Sequence, residues 1–381
     1  MTTTSEQTTS GEPAVPGTTD SGTAGFLTRH RRAVVAAVVT VALVLVSIGG
    51  YALWAKRKLD DALATIHTEQ VFAGIDPATR PAPSPDGGVT FLLAGADLLS
   101  AEELTGTEAG TTGQAGLETL LMQKPSGPGR SDIIILVHVD AARDKASLIS
   151  IPRDSLVTIP SYVDASGTTH PAVRRKINAS FSLGGPTLLV RTVEDLTGIR
   201  VDHFAYIDYY GLIKLVDAIG GVTVNNLYAT SNVYGNPSWN FPKGEIPLTG
   251  ILARVWVSQR KNLPHSDLDR ARNSQELLHA MALKLASPET FSNPVRLQST
   301  LDLISSVVTV DETLDPGTMK GLALSMRSLD VNTIQMGTAP TEARTTFNGE
   351  TVFPLDTSRT PCLWAAIRTS DLASVARCSA S

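Results

Sequence analysis

The sequence predicts an α/β fold, a layered α-β-α domain around a central mixed sheet, preceded by a single transmembrane helix. Three observations carry that prediction. Short, β-branched apolar runs at Val89–Ala94, Ile133–Val139 and Ala146–Ile151 read as strands buried on both faces. Between and after them come segments with apolar residues at i, i+4 and i+7, the spacing of helices that cover a sheet. Upstream, Ala33 to Trp54 runs without a charge, long enough to span a bilayer core of about 30 Å at about 1.5 Å per residue.

Residues 1–28 are dominated by Thr, Ser and Gly with almost nothing to bury, which predicts a disordered tail. Residues 33–54 are the anchor. Arg29, Arg31 and Arg32 precede it and Lys56, Arg57 and Lys58 follow, so flanking charge alone leaves the orientation tied. Residues 55–88 read as a stalk, with Leu59, Leu63 and Ile66 at helical spacing, and then a linker stiffened by Pro77, Pro81, Pro83 and Pro85. One folded domain is expected over 89–381.

Within it, the polar hexapeptide Asp140 to Lys145 joins two strands in a hairpin. Pro186 to Leu196 is a helix with Pro at its start and Gly198 after its end. Leu212, Leu215, Val216 and Ile219 make a second, closed by Gly220-Gly221. His203–Ile207 and Val222–Val224 are strands. Val255, Val257 and Gln259 alternate with Trp256, Ser258 and Arg260, which predicts a strand carrying Arg260 on the face of Trp256. Leu278, Met281, Ala282 and Leu285 then mark an amphipathic helix with Ser266 or Asp267 near its N-cap.

The formal net charge is -5, from 32 Lys+Arg against 37 Asp+Glu, so no bulk positive field exists to hold nucleic acid. The signatures of α/β-hydrolases, P-loop nucleotidases, dinucleotide-binding folds and zinc proteases are absent, and the seven histidines are scattered. His138, inside a strand, reads as a satisfied core residue. Tyr206, Tyr209, Tyr210, Trp239 and Trp256 read first as core, the alternative being the lining of a sugar or lipid site. Cys362 and Cys378 fit either an extracytoplasmic disulfide or two unrelated buried thiols.

The hairpin brings Arg130-Ser131-Asp132 beside Pro152-Arg153-Asp154, and Asp97 reaches the same rim if its strand neighbours either one. Clustered acids are candidate Mg²⁺ ligands, and arginines beside them suit a phosphate. Surface charges capping strand ends explain the same residues. A second cluster follows in Arg260, Asp267, Arg270, Arg272 and Gln275, at the start of the amphipathic helix, a natural anion site, though helix-surface salt bridging explains the same residues.

Arg130-Ser131-Asp132, Ser150-Ile151-Pro152-Arg153-Asp154, Lys176-Ile177-Asn178-Ala179 followed by Gly184-Gly185-Pro186, Asp217-Ala218-Ile219-Gly220-Gly221-Val222, and Gln259-Arg260-Lys261 leading to Asp267-Leu268-Asp269-Arg270 together resemble the LytR-CpsA-Psr family. The resemblance covers about residues 89–285, with a family-like tail to about residue 370. It implies a membrane-anchored phosphotransferase with its domain outside the cell. Such an enzyme moves a glycopolymer from a polyprenyl-pyrophosphate carrier to peptidoglycan, in cell wall biogenesis. By position, it implies Mg²⁺ on Asp97 and Asp132, and pyrophosphate on Arg130, Arg153, Arg260, Arg270, Arg272 and Gln275. Asp267 would orient the arginines, and Asp154 and Asp267 are both candidates for the general base. Leu98-Leu99, Ser258 and Ser274 stand where the family usually has Arg, Arg and Gln. The alternative they support is a noncatalytic membrane protein that binds prenyl pyrophosphate or cell wall. A transcriptional regulator is opposed by the acidic outer domain and the anchor.

Overall fold

The computed structural model describes Ser47, residues 49–97 and residues 130–380, except 165, 232, 234–238, 260–262, 266, 286 and 288–292. Residues 57–381 form one compact unit. In the other unit, residues 49–56 are helical. The expected tail, and the expected anchor before residue 47, lie outside the described residues. Among the described residues no helix is long and apolar enough to cross a membrane.

The central sheet is built from β1 (His67–Glu69), β2 (Val89–Asp97), β3 (Arg130–Val139), β4 (Ala146–Ser150), β9 (His203–Asp208), β12 (Val308–Asp311) and β13 (Gln335–Thr338). Their order is β1-β12-β9-β2-β3-β4-β13. β2, β3 and β4 run antiparallel to their neighbours within that trio, whereas β2 with β9 and β4 with β13 are parallel, so the sheet is mixed as expected.

Both faces are covered. Helix α1 (Asn178–Thr197) puts Leu188, Leu189 and Val193 against Ile134, Leu136 and Ile149. On the other face α2 (Tyr209–Ala218), α3 (Gly250–Ser258) and α4 (Asp267–Leu285) enclose a second core with Ile133, Ile207, Trp239 and Trp256. Period-2 alternation sends Ile133 to one core and Ile134 to the other, so a continuous apolar strand feeds two layers. A hairpin of β10 (Val222–Asn226) and β11 (Gly244–Leu248) completes the second layer.

A satellite sheet has the order β14-β15-β5-β8, from β5 (Ser155–Ile159), β8 (Val173–Lys176), β14 (Thr345–Phe347) and β15 (Glu350–Pro354). Between β5 and β8, β6 (Tyr162–Val163) pairs with β7 (Thr169–His170). The remaining helices are α5 (Pro294–Val307), α6 (Pro316–Ser325), α7 (Thr360–Arg368) and α8 (Leu372–Cys378). A Cys362–Cys378 disulfide ties α7 to α8, which decides between the two readings of those cysteines.

Three expectations need correction. The run Val255–Gln259 is no strand, because residues through Ser258 belong to α3 and Val255, Trp256 and Val257 are all buried. Burial all round removes the polar alternation that marks a half-exposed strand, so β-branched valines alone misled the reading. Helix packing also requires Gly250, where a Cβ would sit 2.1 Å from the Ile213 carbonyl oxygen. Secondly, part of the expected stalk and linker is built into the fold. β1 pairs with β12, Val71 and Ile75 lie in the α1-side core, and Arg80 makes a buried 2.7 Å ion pair with Glu194 of α1. Thirdly, the helix expected from Pro186 begins at Asn178 and kinks at Gly184-Gly185, where Gly185 has φ 65°. Pro186 therefore starts the second segment and removes no hydrogen bond from the first.

Candidate functional site

The site grows from strand register. In the β2–β3 ladder Asp97 is the partner of Arg130, after a shift at Gly95/Ala96, so the end of β2 and the start of β3 share one rim. In the β3–β4 ladder Ile135 faces Ser150, and the Ile151 N–H donates to the Ile134 carbonyl at 2.9 Å. The chain leaving β4 thus passes Asp132 on its way through Pro152 and Arg153. Arg153 Nη1 stands 2.5 Å from Asp132 Oδ1.

Helix α4 supplies the third member. It lies over β4 and β13, held by Gln275, whose side-chain amide donates to Ser150 Oγ at 2.8 Å and to the Gly337 carbonyl. Five residues before Gln275, Arg270 donates from Nη2 to Asp132 Oδ2 at 2.8 Å, and from Nε to the Val257 carbonyl at 3.2 Å. Burial pushes the Asp132 carboxyl up, but Arg270 and Arg153 outweigh it and hold Asp132 below the usual carboxylate range. Burial likewise disfavours the Arg270 charge, and Asp132, with Tyr209, reverses that well past the usual value.

The cluster extends in both directions. Tyr209 Oη lies 3.4 Å from Arg270 Nη2, and the Arg254 guanidinium carbon stacks 3.8 Å from the Tyr209 ring centre. Arg254 also donates to the Ser258 hydroxyl. On the far side Asp154 lies 3.7 Å from Arg153 and 3.3 Å from Lys176 Nζ. Arg254, Arg270, Arg153 and Lys176 set four cations against the carboxylates of Asp132 and Asp154. With Glu350 also 3.8 Å from Lys176, one positive charge is left in excess among these described residues, in a chain whose net charge is -5.

A cleft of about 20 Å³, the size of one water, lies between Asp132, Arg153, Ser150, Arg270 and Ser274. Asp132 Oδ1 and Arg153 Nε are buried and make no aligned hydrogen bond among the described residues, although Asp132 Oδ1 stands 2.5 Å from Arg153 Nη1 and Arg153 Nε 3.7 Å from Asp154. The hard carboxylate oxygen has the chemistry of a Mg²⁺ ligand, and the guanidinium N–H that of an anion donor.

Of the residues expected at the site, the structure brings together Asp132, Arg153, Asp154 and Arg270. Asp97 and Arg130 meet at the rim through their backbones. The Asp97, Arg130 and Asp267 side chains, and Arg260 altogether, lie outside the described residues. Two expectations change. Gln275 does not line the cleft, because its side-chain amide holds α4 to the sheet. Arg272 turns outward, partly exposed, and pairs with Asp269 at 3.8 Å. The five residues from Arg270 to Gln275 are about 1.4 turns of helix, a rotation that carries the side chain from the cleft onto the sheet.

The sequence reading missed three groups. Lys176 carries no role in the sequence motif that contains it, Tyr209 is a core residue as expected but also touches Arg270, and nothing in the strand pattern singles out Arg254. Arg254 was detectable: once 250–258 is read as a helix, it is a lone charge on an apolar segment, and Ser258 lies at i+4.

The LytR_cpsA_psr family model matches residues 55–369. The chain belongs to that family. It is 34% identical over 300 residues to the probable cell wall biosynthesis protein LcpB of Corynebacterium glutamicum, which covers 77% of this chain and 61% of the relative. It is 31% identical to the polyisoprenyl-teichoic acid–peptidoglycan teichoic acid transferase TagU of Oceanobacillus iheyensis, over 49% of this chain and 55% of TagU. The chain thus spans little more than half the length of these relatives. Among solved structures, the LytR-Csp2A-Psr enzyme of Actinomyces oris shares the fold, with TM-score 0.54 and 17% identity over 83% of this chain and 96% of that one. Ser258, where the resemblance expects an arginine, lies beside the guanidinium of Arg254 from one turn earlier in α3.

Proposed function

We propose that this LytR_cpsA_psr protein is a Mg²⁺-dependent phosphotransferase that moves a glycopolymer from a polyprenyl-pyrophosphate carrier to a peptidoglycan hydroxyl. The observation that carries the reading is Asp132 buried between Arg153 and Arg270, all three lining one cleft. Similarity to LcpB and TagU supports it. In this reading Arg153 and Arg270 hold the diphosphate and neutralise charge that builds on the transferred phosphoryl group. The acceptor oxygen forms a new P–O bond, the bond to the bridging oxygen breaks, and prenyl phosphate leaves. The acceptor proton passes to a carboxylate, for which Asp154 is placed beside Arg153 and Lys176. Asp132 and Asp97 are the residues that would hold Mg²⁺, which would supply Lewis-acid charge when bound.

The same reading anchors the protein in the cell membrane by residues 33–54, N-terminus inside and folded unit outside. The Cys362–Cys378 disulfide supports it, since such bonds persist in oxidising compartments. Arg153→Ala and Asp132→Ala are expected to abolish transfer from a prenyl-pyrophosphate-linked donor. Full activity in both variants rejects the transferase. Ser258 and Ser274 favour the second reading, a noncatalytic binder, which predicts that prenyl pyrophosphate binds to the wild type without turnover when Mg²⁺ and peptidoglycan are present.

A further inference from the structure

The satellite sheet holds a second cavity that the proposed reaction does not use. Its volume is about 330 Å³, and it lies between β8 and the β14–β15 hairpin. Arg174, Arg175 and Lys176 are consecutive on β8, an edge strand, with Arg174 and Arg175 exposed. The opposite wall is Phe347, Asn348 and Glu350. Phe347 and Glu350 are direct ladder partners, so the turn between them is the two residues Asn348-Gly349, with φ 49° and 81°. That is the twist-matched two-residue hairpin, which sets the wall in place before any ligand arrives.

The charge of this cavity is unbalanced. Glu350 stands 3.8 Å from Lys176, and among the described residues neither Arg174 nor Arg175 meets a carboxylate. Arg174 instead stacks its guanidinium 5.5 Å from the Phe347 ring centre. Stacking fixes the plane of the guanidinium while leaving its N–H groups to a ligand. Exposed arginines on an edge strand also discourage strand pairing, yet that task needs neither a cavity nor an aromatic partner.

Lys176 joins the cavity to the cleft, through Asp154 to Arg153. An anionic chain seated on Arg174 and Arg175 therefore leads toward the Arg153–Asp132 cluster. At 330 Å³ the cavity admits a segment of a ligand with a mixed polar and aromatic lining.

We propose that Arg174, Arg175 and Phe347 form a subsite for an anionic glycan segment, bearing phosphodiester or carboxylate groups, that positions one substrate of the adjacent cleft. The subsite rests on the transferase reading for its purpose but not for its chemistry. Either substrate can supply such anions, the polymer through phosphodiesters or the wall acceptor through carboxylates.

The test is equilibrium binding to the full-length protein in detergent micelles. The probes are a glycerol-phosphate oligomer, a muropeptide disaccharide, neutral chitotetraose and geranyl pyrophosphate. R174S/R175S should weaken one of the two charged glycan probes at least tenfold and leave chitotetraose and geranyl pyrophosphate within twofold of wild type. The probe that weakens identifies the source. The affected affinity should also fall as salt is raised. Equal binding of both charged probes by wild type and variant overturns the subsite, as does a wild type that prefers neither charged probe to chitotetraose. R153A separates the two proposals: it should weaken geranyl pyrophosphate alone. A wild type that binds a charged glycan but no geranyl pyrophosphate sinks the transferase reading and keeps the subsite.

Discussion

Arg270 of α4 and Asp132 of β3 meet at 2.8 Å, both nearly excluded from solvent, across 138 residues of chain. A buried pair of this kind is costly to break, because the surviving charge is left without its counterpart in low dielectric. Arg270→Met and Asp132→Leu should each destabilise the protein by about 3–5 kcal/mol. The double variant should recover part of that loss, giving a coupling energy measurable by denaturant unfolding of all four proteins. Strict additivity contradicts the pairing.

Arg254 supplies a second prediction. Its guanidinium reaches Ser258, where the family resemblance expects an arginine, and stacks on the ring whose hydroxyl touches Arg270. If it replaces the missing cation, Arg254→Met should lower kcat/KM for glycopolymer transfer about tenfold to a hundredfold, the loss of one charge-assisted contact of about 1.5–3 kcal/mol. R254M/S258R should restore most of the rate. A purely structural Arg254 would lower the melting temperature and leave the double variant as slow as the single.

The disulfide between Cys362 and Cys378 closes a 16-residue separation and joins the last two helices, whose Leu363, Ile367 and Val375 belong to the α1-side core. Cross-linking a loop of this length stabilises by about 3 kcal/mol in the chain-entropy account. C362S/C378S, or the wild type under a reductant, should lose about that much in equilibrium unfolding. An unchanged midpoint would mean that core packing alone holds α7 and α8.

Asp86 gives a prediction in pH. Burial pushes its carboxyl up, but hydrogen bonds from Ser370, the Gly88 N–H, Ser84 and His138 outweigh this and lower it to about 2. A carboxyl whose value is depressed on folding stabilises the protein above its ordinary value of 3.8, and that contribution fades as pH falls toward about 2. Asp86→Asn should therefore melt lower than wild type at pH 7. The gap should narrow between about pH 4 and pH 2, followed by circular dichroism. A gap independent of pH would assign the effect to shape.

How much was legible in advance divides along physical lines. The Ile133–Val139 and Ala146–Ile151 strands and the helices after Pro186 and before Gly220 were legible because period and punctuation are local properties of the chain. The hairpin also set Asp132 beside Arg153, since a six-residue loop fixes which residues face each other. α3 was misread because a helix buried on all sides has no polar stripe to give its period away. The segment 67–80 was misread because its place depends on β12 and Glu194, partners far away in sequence.

By itself, then, the sequence determined an α/β layered domain, the acid-arginine rim and the family. Only tertiary structure decided which cations share it. Arg254 and Tyr209 join through the packing of α3 on α2, Lys176 through the satellite sheet, and Gln275 leaves because the turn that aims Arg270 into the cleft aims Gln275 at Ser150. Those placements depend on distances between elements, which no local pattern of residues encodes.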